Sequence, residues 1–206
     1  HLKRPGEPYP ALLSTRALAR AVGVSESSIK RWVDDGTIRS TRTVGGHRRI
    51  ERGDAIRFVR DTRATVVAPQ ILGLAEAVDP RSITVTSAGE VLADLLARGA
   101  EHEARAVLES LYLAGEPLAA IFDAPLRTAL ERIGAIWLHD RAGIFLEHRA
   151  LQICVRALSH LSTLVPTPAD PLAAVGGAVA GDPYLLPSMA AALVLAGEGF
   201  QAVNLG

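Results

Sequence analysis

Trp137, Glu147 and His148 are the residues of this sequence whose types and spacing point most directly to chemistry. They lie in "RIGAIWLHDRAGIFLEHRA": an indole, nine intervening residues, then a carboxylate beside an imidazole. Alternating steps of three and four from Ile144 give Ile144, Glu147, Leu151, Cys154, Leu158, Leu161 and Val165, a helical stripe apolar at every position but Glu147. An ionised carboxylate in a core stripe is costly unless something pairs with it. Upstream, Phe122, Leu126, Leu130, Ile133 and Trp137 form a second stripe that ends at the indole. With the next helix starting near Asp140, a rise of roughly 1.5 Å per residue puts Glu147 and His148 about 10 Å into it, at the same end as Trp137. Such a mixed mouth suits a partly polar planar ligand. The plainer reading makes Trp137 core, Glu147 a macrodipole partner and His148 a surface residue.

The elements that must position these groups are helical. Segments at about 87 to 98, 101 to 113, 116 to 138 and 141 to 164 are separated by Gly99, by Gly115 and by "HD". Short connections force antiparallel neighbours, so residues 84–165 are expected to form a four-helix bundle. Pro125 should break the third segment, with Asp123 capping the helix beyond the break. Cys154 reads as a small core residue. Residues 64–83 read as a linker containing one turn of helix, and 166–172 as a second linker. In residues 173–206, positions 173 to 180 read as a buried strand, 184 to 196 as a helix stopped by Gly199, and "QAVNLG" as a second strand. This is the opening β-α-β of a doubly wound sheet, and the fold class is mainly α with α/β.

Charge is divided unevenly. Residues 1–63 carry fourteen Lys and Arg against seven Asp and Glu, a net of +7, and the remainder carries eight against fifteen, a net of −7. A basic head on an acidic body implies that the head meets a polyanion. Ser14 caps a helix over "TRALARAV" that Gly23 ends, and Ser25 caps a second over "ESSIKRWVDD" closed by Gly36. Leu18, Val22, Val24, Ile29 and Trp32 are a shared apolar set, which makes a helix-turn-helix whose second helix shows Ser27, Ser28, Lys30 and Arg31 to a major groove. "VGGHRRI" then reads as a wing about a Gly-Gly turn, with Arg39, Arg42, Arg48 and Arg49 along the ribbon. Helical spacing resumes through Ile56, Phe58 and Val59, with Asp54 as a cap.

No apolar run of about 18 residues and no signal core are present, so neither a membrane span nor secretion is expected, and the reading is cytoplasmic. One cysteine excludes an internal disulfide and a zinc site built on several thiolates.

Residues 12 to 61 resemble the winged-helix DNA-binding domain of the MerR family, in which an "R-T-x-G-G-H-R-R" wing follows the recognition helix. The resemblance implies that Arg42, His47, Arg48 and Arg49 contact phosphate and the adjacent minor groove of double-stranded operator DNA. Because one such domain reads a half-site, a homo-oligomer, dimer or tetramer, is implied.

The bundle is similar to the helical cap of the B12-dependent light-sensing repressors of the MerR class, the CarH and LitR kind. Their signature of Trp, nine residues, then Glu-His fits Trp137, Glu147 and His148, with Pro125 and Gly134 upstream. The resemblance implies that Trp137 covers adenosylcobalamin, that Glu147 meets its adenosyl group, and that His148 is a ligand for the metal once light has broken the cobalt–carbon bond. The carboxylate would then be satisfied by a ligand hydroxyl. Residues 173–206 resemble the start of the family's Rossmann-like cobalamin-binding domain. There the lower cobalt ligand is histidine, where this sequence has Tyr184, a poor substitute because a phenol ionises near pH 10. The chain also stops at Gly206 after two strands, and a fragment of a longer protein is the expectation. The leading reading is a repressor controlled by adenosylcobalamin and light. Its alternative is a regulator that has abandoned B12 for a bilin or haem, or for no ligand. An enzyme is not expected, since a B12-dependent mutase or methyltransferase would not account for the winged helix.

Overall fold

The computed structural model describes residues 12–76, 83–137, 142–166, 171–179, 181 and 185–206. They fall into two compact units, His1–Glu76 and Ala77–Gly206.

The first unit is built on helices α1 (Thr15–Val22) and α2 (Glu26–Asp34). The Ser14 hydroxyl accepts from the Ala17 amide and that of Ser25 from the Ser28 amide, each at 3.1 Å. Each hydroxyl satisfies a donor that the first helical turn leaves without a partner. Between the helices Gly23 takes a φ of 71°, the left-handed conformation that glycine adopts most cheaply. Leu18, Val22 and Ile29 are buried together. Val24, expected with them, lies in the turn and is exposed. Trp32 is half-buried, its ring 5.2 Å from that of Phe58.

Three strands follow the order β1 (Leu12–Ser14), β3 (Arg48–Glu51), β2 (Thr41–Arg42), with both pairings antiparallel. Strand β1 was not expected: three residues are too few to display alternation, and its Ser14 doubles as a helix cap. Helix α3 (Arg52–Thr62) buries Ile56, Phe58 and Val59. Asp54 does not cap it. The cap position is Glu51, and Asp54 lies in the first turn, paired with Arg57 at 3.2 Å.

The turn of helix expected within residues 64–83 is present, and the segment around it is packed rather than a loose linker. The amides of Val67 and Ala68 donate to the Ala21 carbonyl at 2.8 and 3.1 Å, and a 3-10 turn over Pro69–Leu72 buries Leu72. Pro69 starts that turn and Gly73 closes it, so the residues that suggested a linker shape a packed segment.

The second unit contains α4 (Val85–Arg98), α5 (Glu101–Leu113), α6 (Leu118–Ile121), α7 (Arg127–Trp137) and α8 (Ala142–Ser162). Helices α4, α5, α7 and α8 pack on one another. Thr84 and Ser87 form a reciprocal capping box at the start of α4. A Cβ added to Gly89 on α4 would lie 2.9 Å from the Cβ of Thr128 on α7, so the glycine permits this close approach. Pro125 does not break the third segment. Helix α6 runs into α7 through a π turn over Phe122–Leu126, whose wider ring accommodates a residue without an N–H, and Asp123 is exposed.

Strands β4 (Leu172–Gly176) and β5 (Phe200–Asn204) are parallel, joined through α9 (Leu185–Gly197). The strand expected at 173–180 ends at Gly176 and is not buried: Leu172 and Val175 are exposed. Two strands and one helix supply too little cover for both faces of the sheet. Leu186 and Leu193 of α9 are buried, and α9 packs on α8.

Candidate nucleic-acid interface and a second site on the helical body

Ser27, Lys30 and Arg31 are exposed on α2, as the helix-turn-helix reading requires. Ser28 is half-buried, its hydroxyl 2.9 Å from that of Ser25 in the cap. Lys30 Nζ lies 3.0 Å from Glu26 Oε1, and the Thr15 hydroxyl donates to the same oxygen at 2.9 Å. The Lys30 ammonium, then the Thr15 hydroxyl, hold the Glu26 carboxyl below the usual carboxylate range.

The wing tip is ordered by its own backbone. Gly46 donates to the Thr43 carbonyl at 2.8 Å, Thr43 to the His47 carbonyl at 2.9 Å, and the His47 amide to Thr43 Oγ1 at 3.2 Å. Arg39, Arg42 and His47 are exposed. Arg42 faces Arg48 across the β2–β3 pair, while Arg49 is opposite Thr41 and so belongs to the other face of the ribbon. Arg48 is engaged by Asp34 at the end of α2. Sequence reasoning missed both acidic partners, Glu26 and Asp34. A signal for the second was present: an aspartate in the last turn of a helix opposes the macrodipole and needs another reason to be there.

On the body, the Arg149 guanidinium donates to the Ala97 carbonyl in the last turn of α4. The two turns of α8 before Arg149 therefore extend past the end of α4. There Ile144 is 44% and Phe145 65% exposed, His148 is exposed, and Glu147 is partly exposed. Glu147 is thus not a buried carboxylate: the stripe that contains it is core at Cys154, Leu158 and Leu161, and burial pushes the Cys154 thiol up to about 12. Trp137 is the last residue of α7; its side chain, and the whole of Tyr184, lie outside the described residues.

Among the described residues, the carboxylate buried in the bundle is Glu109 on α5, which sequence reasoning also missed. Its Oε1 is 2.8 Å from His160 Nδ1 on α8 and 3.3 Å from Arg105 Nε, one turn earlier on α5. The signal lay in its neighbours, since Glu109 stands between Leu108 and Leu111 in the middle of an apolar helix. A separate cleft of about 370 Å³ is lined by Leu158, Met189, Leu193, Phe200, Gln201 and Asn204, and includes neither Glu147 nor His148.

Among the described residues, no three His, Cys, Asp or Glu side chains gather to hold a metal ion, and no helix is long and apolar enough to cross a membrane. Residues 12–62 match the family described as "Helix-turn-helix domain". A comparison with curated proteins finds no match. The head is a helix-turn-helix DNA-binding domain, which fits a DNA-binding regulator of transcription.

Proposed function

We propose that this DNA-binding regulator is a repressor of the MerR class, not an enzyme, whose body senses adenosylcobalamin and, through it, light. The observation that carries the sensing half is the projecting start of α8, where Glu147 and His148 stand beside the exposed side chains of Ile144 and Phe145. An accessible imidazole, a partly exposed carboxylate and two apolar groups are a donor set that fits a partly polar planar cofactor. Bound adenosylcobalamin would supply visible absorption and a cobalt–carbon bond that light can break. In this reading Glu147 would accept a hydrogen bond from a ligand hydroxyl, Trp137 would cover the ring and His148 would offer a nitrogen lone pair to the metal. Operator binding by two half-site readers makes the working form a homo-oligomer, with ligand occupancy setting its assembly.

The test is an absorption spectrum of the chain after incubation with adenosylcobalamin in the dark and desalting, repeated after green light and with His148→Ala. Retained colour, with a spectral change on illumination that His148→Ala alters, supports the reading. A colourless eluate contradicts it, and the same experiment with haem or a bilin then decides whether another tetrapyrrole is held.

A further inference from the structure

Within the head, Arg48 was expected to touch phosphate, but its surroundings assign it different work. Its Nε donates to Asp34 Oδ1 at 3.1 Å, and its Nη2 lies 2.6 Å from Oδ1 and 2.9 Å from Oδ2. This two-pronged contact joins β3 of the wing to the last turn of the recognition helix α2, and such pairs fix geometry as well as charge. The Arg48 side chain is only 25% exposed, half the figure for its partner. Asp34 opposes the macrodipole of its own helix, so its place is explained by what it holds. Arg48 also stands directly across the ribbon from Arg42, and like charges so placed repel. Among the described residues of that face, neutralising Arg48 leaves the exposed Arg42 as the free-standing cation.

We propose that Arg48 is a positioning residue: the Asp34–Arg48 clamp sets the wing against the recognition helix, and phosphate is met by Arg42 and His47 instead. The inference rests on the DNA-binding reading of the head and makes no use of the proposed cofactor. It differs from a phosphate role in one decisive respect, because a clamp works with its charges exchanged and a phosphate contact does not.

The experiment uses the full chain and a labelled mixed-sequence duplex, with fluorescence anisotropy across a salt series. Arg48→Asp should weaken binding by about tenfold or more, since it sets two carboxylates against each other beside the DNA. The reversed pair, Asp34→Arg with Arg48→Asp, should return to within about threefold of wild type, the two changes being strongly coupled. Arg48→Ala should leave the salt slope unchanged, whereas a phosphate contact would lower it by about one. A reversed pair as weak as Arg48→Asp alone, or a reduced slope for Arg48→Ala, overturns the proposal. A second readout needs no DNA: in Asp34→Asn, hydrogen exchange at the Thr43, Gly46 and His47 amides should accelerate while α1 amides stay protected. Unchanged wing exchange would also overturn the clamp. Failure of the wild-type chain to bind any duplex would refute the DNA-binding reading, and the exchange result would still judge the clamp.

Discussion

The head and the body expose different kinds of side chain. In the head the wing and α2 present Lys30, Arg31, Arg39, Arg42 and His47, while exposed apolar residues such as Val24 and Val44 are scattered singly. In the body, beside exposed charged groups, some exposed apolar residues are adjacent: Ile144 beside Phe145 on α8, and Val175 opposite Val203 across the β4–β5 pair. Scattered apolar residues need no explanation, whereas clusters mark surfaces that meet something less polar than water. Under the proposed function the two units recognise differently: salt would screen recognition by the head, and apolar burial would drive recognition by the body.

The largest effect that would sharpen this contrast lies in the interior of the body. Removing Glu109 leaves Arg105 and His160 facing each other without the carboxylate between them, so Glu109→Ala should lower unfolding free energy by about 3 kcal/mol in denaturant melts. Glu147→Ala, removing a partly exposed carboxylate, should stay within about 0.5 kcal/mol. Equal losses for the two would mean that α8 does not project past α4. In the head, Arg42→Ala should weaken binding to specific and random duplex alike and reduce the salt slope by about one, with the melt unchanged. A slope that does not move would take Arg42 out of contact with phosphate.

Acid should affect the two units alike. Hydrogen bonding from Arg156 holds the Glu101 carboxyl of the body below its ordinary value of 4.5, as Lys30 and Thr15 do for Glu26 in the head. A carboxyl lowered on folding contributes stability above the unfolded value, and that contribution is lost as pH falls through the folded one. Melts at descending pH should therefore lose stability below about 4.5, and Glu101→Gln should flatten that loss. The smallest effect is expected at Phe145, where Phe145→Ser should leave the melt within about 0.5 kcal/mol while weakening retention of the proposed adenosylcobalamin. A loss of several kcal/mol would make Phe145 core and remove it from the proposed site.

How much of this was legible in the sequence depends on which interactions are local. Ser14, Gly23 and Ser25 delimit α1 and α2 through bonds spanning a few residues, and periodicity located α4, α5, α7 and α8. Glu147 was misplaced for a tertiary reason: period assigns a residue to a face, but how far the neighbouring helix extends along that face depends on α4 ending level with Arg149. The Asp34–Arg48 clamp spans fourteen residues and the Glu109–His160 contact joins two helices, so neither has a local signature. Pro125 misled because its cost depends on whether the carbonyl ladder can widen, which the π turn allows.

The most direct test of the DNA-binding claim is the affinity of the full chain for a mixed-sequence duplex across a salt series. The account predicts a log–log plot of affinity against salt that is linear with a slope of several negative units, as expected when a few cations displace condensed counterions. Absence of binding at low salt, or an affinity indifferent to salt, would contradict it.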